Sequence, residues 1–209
     1  MLCIENLSYK NILHNISVEF NEGEICVILG DTGSGKTILL KIIAGLLNKS
    51  KGEILFDNEP LSRKSDYRKK IGAMIEQPDF YESASGIYNL NYLSDINDNR
   101  NDEYIEDLLV RFDLFDEKDK LVKNYSLGMK KKLGIIQAVM ENQKIILFDE
   151  PTNGLDANSK NIFIELVMEL RAKGKILIIS SNINSDEKKL ADRLFILDKG
   201  ILKESSIND

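Results

Sequence analysis

A glycine-rich stretch that ends in a lysine and a threonine could bind the phosphate groups of a nucleotide. Gly30–Thr37, with the sequence GDTGSGKT, fits the pattern G-x-x-x-x-G-K-[ST] between a strand-like run and an apolar helix. Its glycines permit positive φ angles, and its backbone N–H groups can surround an anion. Lys36 adds a full charge, and the Thr37 hydroxyl suits a Mg²⁺ ion. A chance match is expected in roughly one chain of this length in a hundred, so a nucleotide phosphate site is the favoured interpretation.

Two carboxylates follow a short apolar run in the second half of the chain. Ile145–Phe148 is typical of a fully buried strand, and Asp149 and Glu150 come directly after it. In an open parallel sheet, ligands bind at the carboxyl ends of the strands. We therefore expect Asp149 to accept hydrogen bonds from the waters of Mg²⁺, and Glu150 to take a proton from an attacking water. The alternative, two acidic turn residues without a catalytic role, is weaker beside a phosphate-binding stretch.

A third stretch, Tyr125–Met140, predicts a capped helix. Ser126 is a typical N-cap residue, and apolar residues follow it at helical spacing. A helix N-terminus that carries Ser126 and Gly128 suits an anion. On its own this signal is weak, since any capped helix shows a similar pattern.

The elements that position these residues follow an α/β rhythm. We predict a small helical insert over Ser85–Lys123, with a solvated linker at Asn97–Glu103, and a charged helical or loop surface at Ser62–Lys70. Further predicted helices are the one after the phosphate-binding stretch, Asn158–Arg171 and Asp186–Ala191. The predicted strands are Cys3–Tyr9, Ile16–Phe20, Glu24–Leu29, Glu53–Asp57, Ile71–Ile75, Ile145–Phe148, Lys175–Ser180, and a hairpin of Arg193–Asp198 with Ile201–Glu204.

Composition excludes several classes of protein. The 209 residues suffice for one α/β domain, and 30% of them are charged. No window holds the roughly eighteen apolar residues of a membrane span, and the N-terminus lacks the layout of a secretion signal, so we expect a cytosolic location. A net charge of −6 argues against nucleic acid as a partner, although Lys130–Lys132 forms a local basic patch. Cys3 and Cys26 form no C-x-x-C pair and are expected to be reduced.

Together these motifs resemble the ATP-binding subunit of an ABC transporter, and the resemblance covers essentially the whole chain. Five motifs occur in the family's order and spacing, which makes the resemblance specific. They are the Walker A motif at Gly30–Thr37, the Q-loop at Gln77, the signature at Tyr125–Met129, the Walker B motif with its catalytic glutamate at Ile145–Glu150, and the segment leading into the D-loop at Pro151–Asp156.

The resemblance implies an α/β fold, a P-loop NTPase of the ABC ATPase type. It has a mostly parallel core sheet, an N-terminal antiparallel β part and a small helical subdomain. Residues 1–209 would form a single ATP-binding domain, with 1–77 and 126–209 as the core and 78–125 as the helical subdomain. Similar SLGM signatures occur in subunits that resemble bacterial peptide or antibiotic exporters.

The resemblance also implies the site residues, with ATP and Mg²⁺ as the ligands. Glu150, Gln77 and Asn182 would act in catalysis, and Thr37, Gln77 and Asp149 at the metal. Asp156 would belong to the D-loop. The residues expected at the nucleotide are Tyr9, which would stack on adenine, and Gly30, Asp31, Thr32, Gly33, Ser34, Gly35, Lys36, Thr37 and Ile38. The signature residues Ser126, Leu127, Gly128 and Met129 would contact the nucleotide of a partner subunit.

The partners that the resemblance implies are a second cassette and a membrane protein. Two subunits, identical or different, would bind two ATP molecules head to tail, with Walker A of one facing the signature of the other. Gln77 and the helical insert would face separate transmembrane subunits, which places the chain on the cytoplasmic face of the membrane. No nucleic acid is expected.

Two departures from the family pattern bear on activity. Leu127 and Met129 replace a glycine and a glutamine of the signature, while Ser126 and Gly128 are kept. Asn182 stands where the family has a histidine that touches the γ-phosphate, and the chain's one histidine is His14. An amide can form a hydrogen bond but cannot take up a proton as imidazole does, so slower hydrolysis is expected.

Three hypotheses follow. The first is a transport-coupled ATPase, and the second is an ATP-gated regulatory module that hydrolyses ATP weakly because of Asn182. The third is a soluble P-loop enzyme, such as a small-molecule kinase, or an ABC protein of translation or DNA repair. The third is the least favoured, because a kinase has no use for a signature helix and the chain has neither tandem cassettes nor a long coiled coil.

Overall fold

A computed structural model describes residues 1–60, 70–96 and 100–206. It contains two β-sheets with helices on both faces of the larger one. The strands are β1 Leu2–Tyr9, β2 Leu13–Phe20, β3 Glu24–Leu29, β4 Lys51–Phe56, β5 Glu59–Pro60, β6 Ile71–Met74, β7 Ile145–Asp149, β8 Ile176–Ser181, β9 Arg193–Asp198 and β10 Ile201–Ser205. The helices are α1 Lys36–Ile43, α2 Gly86–Ile96, α3 Asp102–Arg111, α4 Leu127–Val139 and α5 Ala157–Ala172.

The larger sheet has the strand order β10-β9-β3-β8-β7-β6. Its strands are parallel except for β10, which pairs antiparallel with β9. Strands β7 and β8 are buried along their whole length, as expected for parallel strands covered on both faces. The predicted mostly parallel core sheet is confirmed. Strand β8 lies between the P-loop strand β3 and strand β7.

Successive residues of the central strands point to opposite faces, which divides the core in two. Cys26 and Ile28 of β3 pack with α1 and the smaller sheet, whereas Val27 and Leu29 pack with α4, α5 and the helical segment. The smaller sheet is antiparallel, with the order β2-β1-β4-β5. The predicted N-terminal antiparallel part is thereby confirmed.

The segment between β6 and α4 is helical, as predicted. It contains α2, α3 and short 3₁₀ turns at Phe115–Glu117 and Val122–Asn124. Leu90, Ile105 and Leu108 are fully buried and attach it to the core. Its helices support the idea of a helical subdomain, while the boundaries at residues 78 and 125 remain a prediction.

Most differences from the predicted elements are shifts of one to three residues at the ends of strands. The largest is at β2, which begins at Leu13 and so places His14 in a strand rather than a loop. Of the predicted surface at Ser62–Lys70, only Lys70 is among the described residues, and Asn97–Glu103 is described from Arg100 onward. Within the described residues, no helix has the length and apolar character needed to cross a membrane.

Candidate functional site

The phosphate-binding loop joins β3 to α1 and has the backbone geometry that its glycines allow. Gly33 and Gly35 adopt φ angles of 85° and 106°, in the left-handed region that favours glycine. A Cβ at Gly30 would lie 2.5 Å from the Leu197 carbonyl oxygen, so only glycine fits there. The loop therefore runs close against β9 and leads directly into the N-terminus of α1.

Lys36 is the first residue of α1, and its side chain extends back into this loop. It is buried, and its Nζ donates to the carbonyl oxygens of Gly30 at 2.7 Å and Asp31 at 3.1 Å. The Ser34 hydroxyl is also buried and has no hydrogen-bond partner among the described residues. The Lys36 ammonium and the Ser34 hydroxyl are polar groups that a phosphate can contact. They lie beside exposed loop positions such as Thr32, so the loop fits a phosphate group.

The Walker A and Walker B stretches meet at a hydrogen bond. Thr37 Oγ1 donates to Asp149 Oδ2 at 2.7 Å, and the Ser180 hydroxyl donates to Asp149 Oδ1. The Glu76 amide approaches Asp149 Oδ2 at 3.4 Å. Ser180 can reach because β8 lies between β3 and β7. The carboxylate of Asp149 is thus fixed from three sides, next to the first residues of α1.

Glu150 is held in an unusual backbone conformation. Its φ angle is 47°, in the left-handed region that is uncommon for a residue other than glycine and occurs in turns and at functional sites. Its amide donates to the Ser180 carbonyl oxygen at 3.0 Å, and its Oε2 accepts from Asn153 Nδ2 at 2.7 Å. Lys131 Nζ of α4 donates to its carbonyl oxygen at 2.5 Å. Contacts from β8, from α4 and from the following turn therefore fix Glu150.

A cavity of about 460 Å³ brings five of the predicted site residues together. It is lined by Thr37, Gln77, Asp149 and Glu150, and also by Leu127 of the signature stretch. Hydroxyl, carboxylate and amide oxygens are donors that suit Mg²⁺. The described residues contain no cluster of three His, Cys, Asp or Glu side chains that could hold a metal alone. A Mg²⁺ ion bound mainly by phosphate and water, with few protein ligands, fits this donor set.

The remaining predicted residues lie at other places on the described surface. Ser126 is exposed at the N-terminus of α4, where its hydroxyl accepts from the Met129 amide at 3.2 Å as the predicted N-cap. Tyr9 is half-buried at the end of β1, with Lys10 Nζ 5.1 Å from the ring centroid. Asn182 is half-buried directly after β8.

Asp156 caps helix α5. Its carboxylate accepts hydrogen bonds from the Ser159 amide at 2.8 Å and the Ser159 hydroxyl at 2.7 Å, and Lys132 Nζ lies 3.6 Å away. The Ser159 amide, its hydroxyl and the Lys132 charge lower the pKa of Asp156 to about 2. The turn before α5 is therefore fixed by an ionised cap.

Several residues of the site were missed from the sequence. Ser180, Lys131 and Asn153 contact Asp149 or Glu150 but were not among the predicted site residues. Asn153 alone carried a signal, since it lies three residues after Glu150 in the same turn. The other two reach the site only through the packing of β8 and α4, which spacing along the chain does not reveal.

Comparison with known sequences gives the family. The profile described as "ABC transporter" matches residues 13–153. The uncharacterized ABC transporter ATP-binding protein YdbJ of Bacillus subtilis (strain 168) is 34% identical, covering 95% of this chain but only 65% of YdbJ, which is less than two thirds of its length. The lantibiotic transport ATP-binding protein SrtF of Streptococcus pyogenes is also 34% identical, over 98% of this chain and 90% of SrtF.

Solved structures agree with this assignment. An ATP-binding subunit of an ABC transporter superposes with a TM-score of 0.92 at 26% identity, covering 100% of this chain and 91% of that one. The dimeric post-hydrolysis structure of the ATP-binding cassette MJ0796 with ADP and Pi has a TM-score of 0.89 at 23% identity, covering 99% of each chain, and shows the same fold. The chain has the P-loop NTPase fold of ABC cassettes, and it belongs to the ABC transporter family as one of its ATP-binding proteins.

Proposed function

We propose that this chain binds ATP with Mg²⁺ and hydrolyses it to ADP and phosphate. The observation that carries the proposal is the 2.7 Å bond between Thr37 of the phosphate-binding loop and Asp149, with Glu150 as the next residue. Thr37 and the carboxylates of Asp149 and Glu150 thus line one cavity. Mg²⁺, held by Thr37, Asp149 and Gln77, would neutralise phosphate charge and polarise the γ-phosphate.

The chain's own residues have separate tasks in this reaction. The loop amides from Thr32 to Thr37 and the Lys36 ammonium hold the β- and γ-phosphates. Glu150 accepts a proton from the attacking water, and its contact with Asn153 orients the carboxylate. Gln77 is exposed at the cavity wall, where its amide can orient the water.

Ser126 and the N-terminus of α4 would complete the site of a second subunit. Ser126 and Leu127 are exposed, so this helix end is free to approach a ligand outside its own chain. A capped N-terminus attracts phosphate through its amides and dipole. The MJ0796 cassette, which shares this fold, forms a dimer, and this supports the pairing of two chains. ATP between two chains, identical or different, would hold them together until hydrolysis.

The partner on the membrane side would be a transmembrane protein. SrtF, which is 34% identical to this chain over 98% of this chain's length, is a lantibiotic transport ATP-binding protein. We therefore propose that the chain works on the cytoplasmic face of the membrane and powers movement of a peptide-like compound. Recovery of a polytopic membrane protein with the tagged chain from detergent extracts supports this role, and recovery of the chain alone contradicts it.

A second candidate function is an ATP-gated regulatory module with little turnover. Asn182 follows β8 at the carboxyl edge of the core sheet, and the chain's one histidine, His14, is in the antiparallel sheet. Steady-state phosphate release by the purified chain separates the two candidates. Release that depends on Mg²⁺ and on Glu150 supports the ATPase. ATP binding and dimerisation with release at background level supports the regulatory module instead.

Replacing Asn182 by histidine is expected to raise the rate of hydrolysis at least about 10-fold, because imidazole supplies a proton-accepting group beside the γ-phosphate. The KM for ATP should change little, since Lys36 and the loop supply most of the affinity. The kcat of Asn182→His is measured beside that of Asn184→His, an exposed control two residues further along. Equal kcat for Asn182→His and the wild type would show that Asn182 does not limit turnover.

A further inference from the structure

The three lysines of the basic patch, Lys130–Lys132, contact different partners. Lys130 Nζ forms an ion pair with Glu82 at 2.7 Å, and Lys132 Nζ lies 3.6 Å from Asp156. Lys131 differs from both, because its Nζ donates to the backbone carbonyl oxygens of Glu150 at 2.5 Å and Asn153 at 2.8 Å. The patch therefore serves contacts within the chain, and its middle lysine reaches the candidate catalytic turn.

Lys131 is placed to act on the catalytic site. It lines the same cavity as Asp149 and Glu150, and it is half-buried. Burial lowers the pKa of its ammonium, while the nearby carboxylates of Glu150, Asp149 and Glu187 oppose that effect. A desolvated ammonium forms strong hydrogen bonds with carbonyl oxygens. Its two bonds span the turn from Glu150 to Asn153.

This turn needs external support. Glu150 is in the left-handed region, at a φ of 47°, which is strained for a residue with a side chain and persists only where surrounding contacts maintain it. Its carbonyl oxygen accepts from Lys131 Nζ and, at 3.3 Å, from the Asn153 amide. Asn153 in turn donates its side-chain amide to Glu150 Oε2. Lys131 thus holds both the backbone of Glu150 and the residue that orients its carboxylate.

We propose that Lys131 is a positioning residue. It holds Glu150 in the conformation needed for hydrolysis and makes that conformation depend on the position of helix α4. The inference rests on the proposed function, in which Ser126 at the N-terminus of α4 faces the partner's ATP. Lys131 lies five residues after Ser126, which is roughly 7.5 Å along the helix axis. The N-terminus of α4 would contact the partner's ATP, and Glu150 would act on the ATP of its own chain. Helix α4 and the Lys131 ammonium therefore connect these two groups.

The test compares kcat, KM and ATP-driven dimerisation for two matched variants. Lys131→Met keeps the apolar stem and removes the ammonium, and we expect it to lower kcat roughly 10- to 100-fold, as small misplacements of catalytic groups do. KM and dimerisation should stay within about twofold, because the loop and Ser126 are unchanged. Lys160→Met is the control, because Lys160 is an exposed lysine of helix α5 that does not line the cavity, and its kcat should equal that of the wild type.

Two further variants keep the proposal falsifiable if Lys131→Met folds poorly. Lys131→Arg retains a cationic donor and should recover kcat to within about fivefold of the wild type. Asn153→Ala should lower kcat by itself, and the double variant with Lys131→Met should lose less than the product of the two, because both act through Glu150. An unchanged kcat in Lys131→Met, or equal losses of kcat and ATP affinity in that variant, overturns the inference about Lys131. If the wild type still hydrolyses ATP, the proposed function is unaffected by that result. A wild-type chain that fails to hydrolyse ATP overturns both.

Discussion

Replacing Lys36 by alanine is expected to weaken ATP binding about 100-fold, equivalent to roughly 2.7 kcal/mol. The reason lies in the loop geometry. The Lys36 ammonium is buried, and the carbonyl oxygens of Gly30 and Asp31 now accept its hydrogen bonds. A triphosphate offers it charged acceptors instead, and charge-assisted bonds in a partly dry site are the strongest that the chain can provide. Titration calorimetry with ATP and Mg²⁺ measures the loss.

The control for this change is Lys51→Ala, which removes an exposed lysine of β4. It should bind ATP as the wild type does. The ATP-induced rise in Tm gives a second readout, because a ligand that binds only the folded chain raises its stability by RT ln(1 + [L]/Kd), so weaker binding gives a smaller rise at the same ATP concentration. Lys36→Ala should lose most of this rise, measured against its own Tm without ATP. Wild-type affinity in Lys36→Ala would mean that the phosphates bind elsewhere.

Replacing Glu150 by glutamine is expected to lower kcat about 100- to 1,000-fold, because glutamine cannot accept the proton of the attacking water. The substitution keeps the shape of the side chain and an oxygen that can accept from Asn153 Nδ2. ATP affinity should therefore stay close to that of the wild type. Phosphate release under saturating ATP measures kcat, and equilibrium binding measures the affinity.

Glu169→Gln is the matched control, since Glu169 is an acidic residue of α5 that pairs with Arg111. Its kcat should be unchanged. The comparison also decides between the two candidate functions. Equal turnover near background in the wild type and in Glu150→Gln would favour the regulatory module, whereas a large gap supports the ATPase.

The parts of the fold that sequence predicts well are those set by local pattern. Ile145–Phe148 is a run of buried apolar residues, and β7 occupies it with Asp149 as its last residue. Ser126 caps α4 because a serine before an apolar stripe satisfies the first amides of the helix. Lys199 and Gly200 form the predicted hairpin turn, with φ angles of 46° and 78°. In each case the determining interaction spans only a few residues.

The parts that sequence did not predict depend on contacts between distant residues. The parallel pairing of β8 with β7 sets Ser180 opposite Asp149, and this pairing brings the two side chains together. Lys131 looked like one of three surface lysines, because its position on α4 relative to Glu150 is set by helix packing rather than by spacing. The amphipathic pattern of α4 predicts which side of the helix is buried. It does not predict that the carbonyl groups of Glu150 and Asn153 lie beside Lys131.

The central claim is that a nucleotide is bound from two sides, by the phosphate-binding loop of one chain and by the capped helix of another. Sedimentation velocity with Mg²⁺ and ATP, in the Glu150→Gln background that prevents hydrolysis, tests it with Ser126→Arg. Ser17→Arg, an exposed serine of β2, is the control. We predict that Ser126→Arg binds ATP with the affinity of the parent but sediments as a monomer, while the parent and the control form dimers. A Ser126→Arg dimer that forms normally, or equal loss of monomer binding and dimerisation, would contradict the shared site.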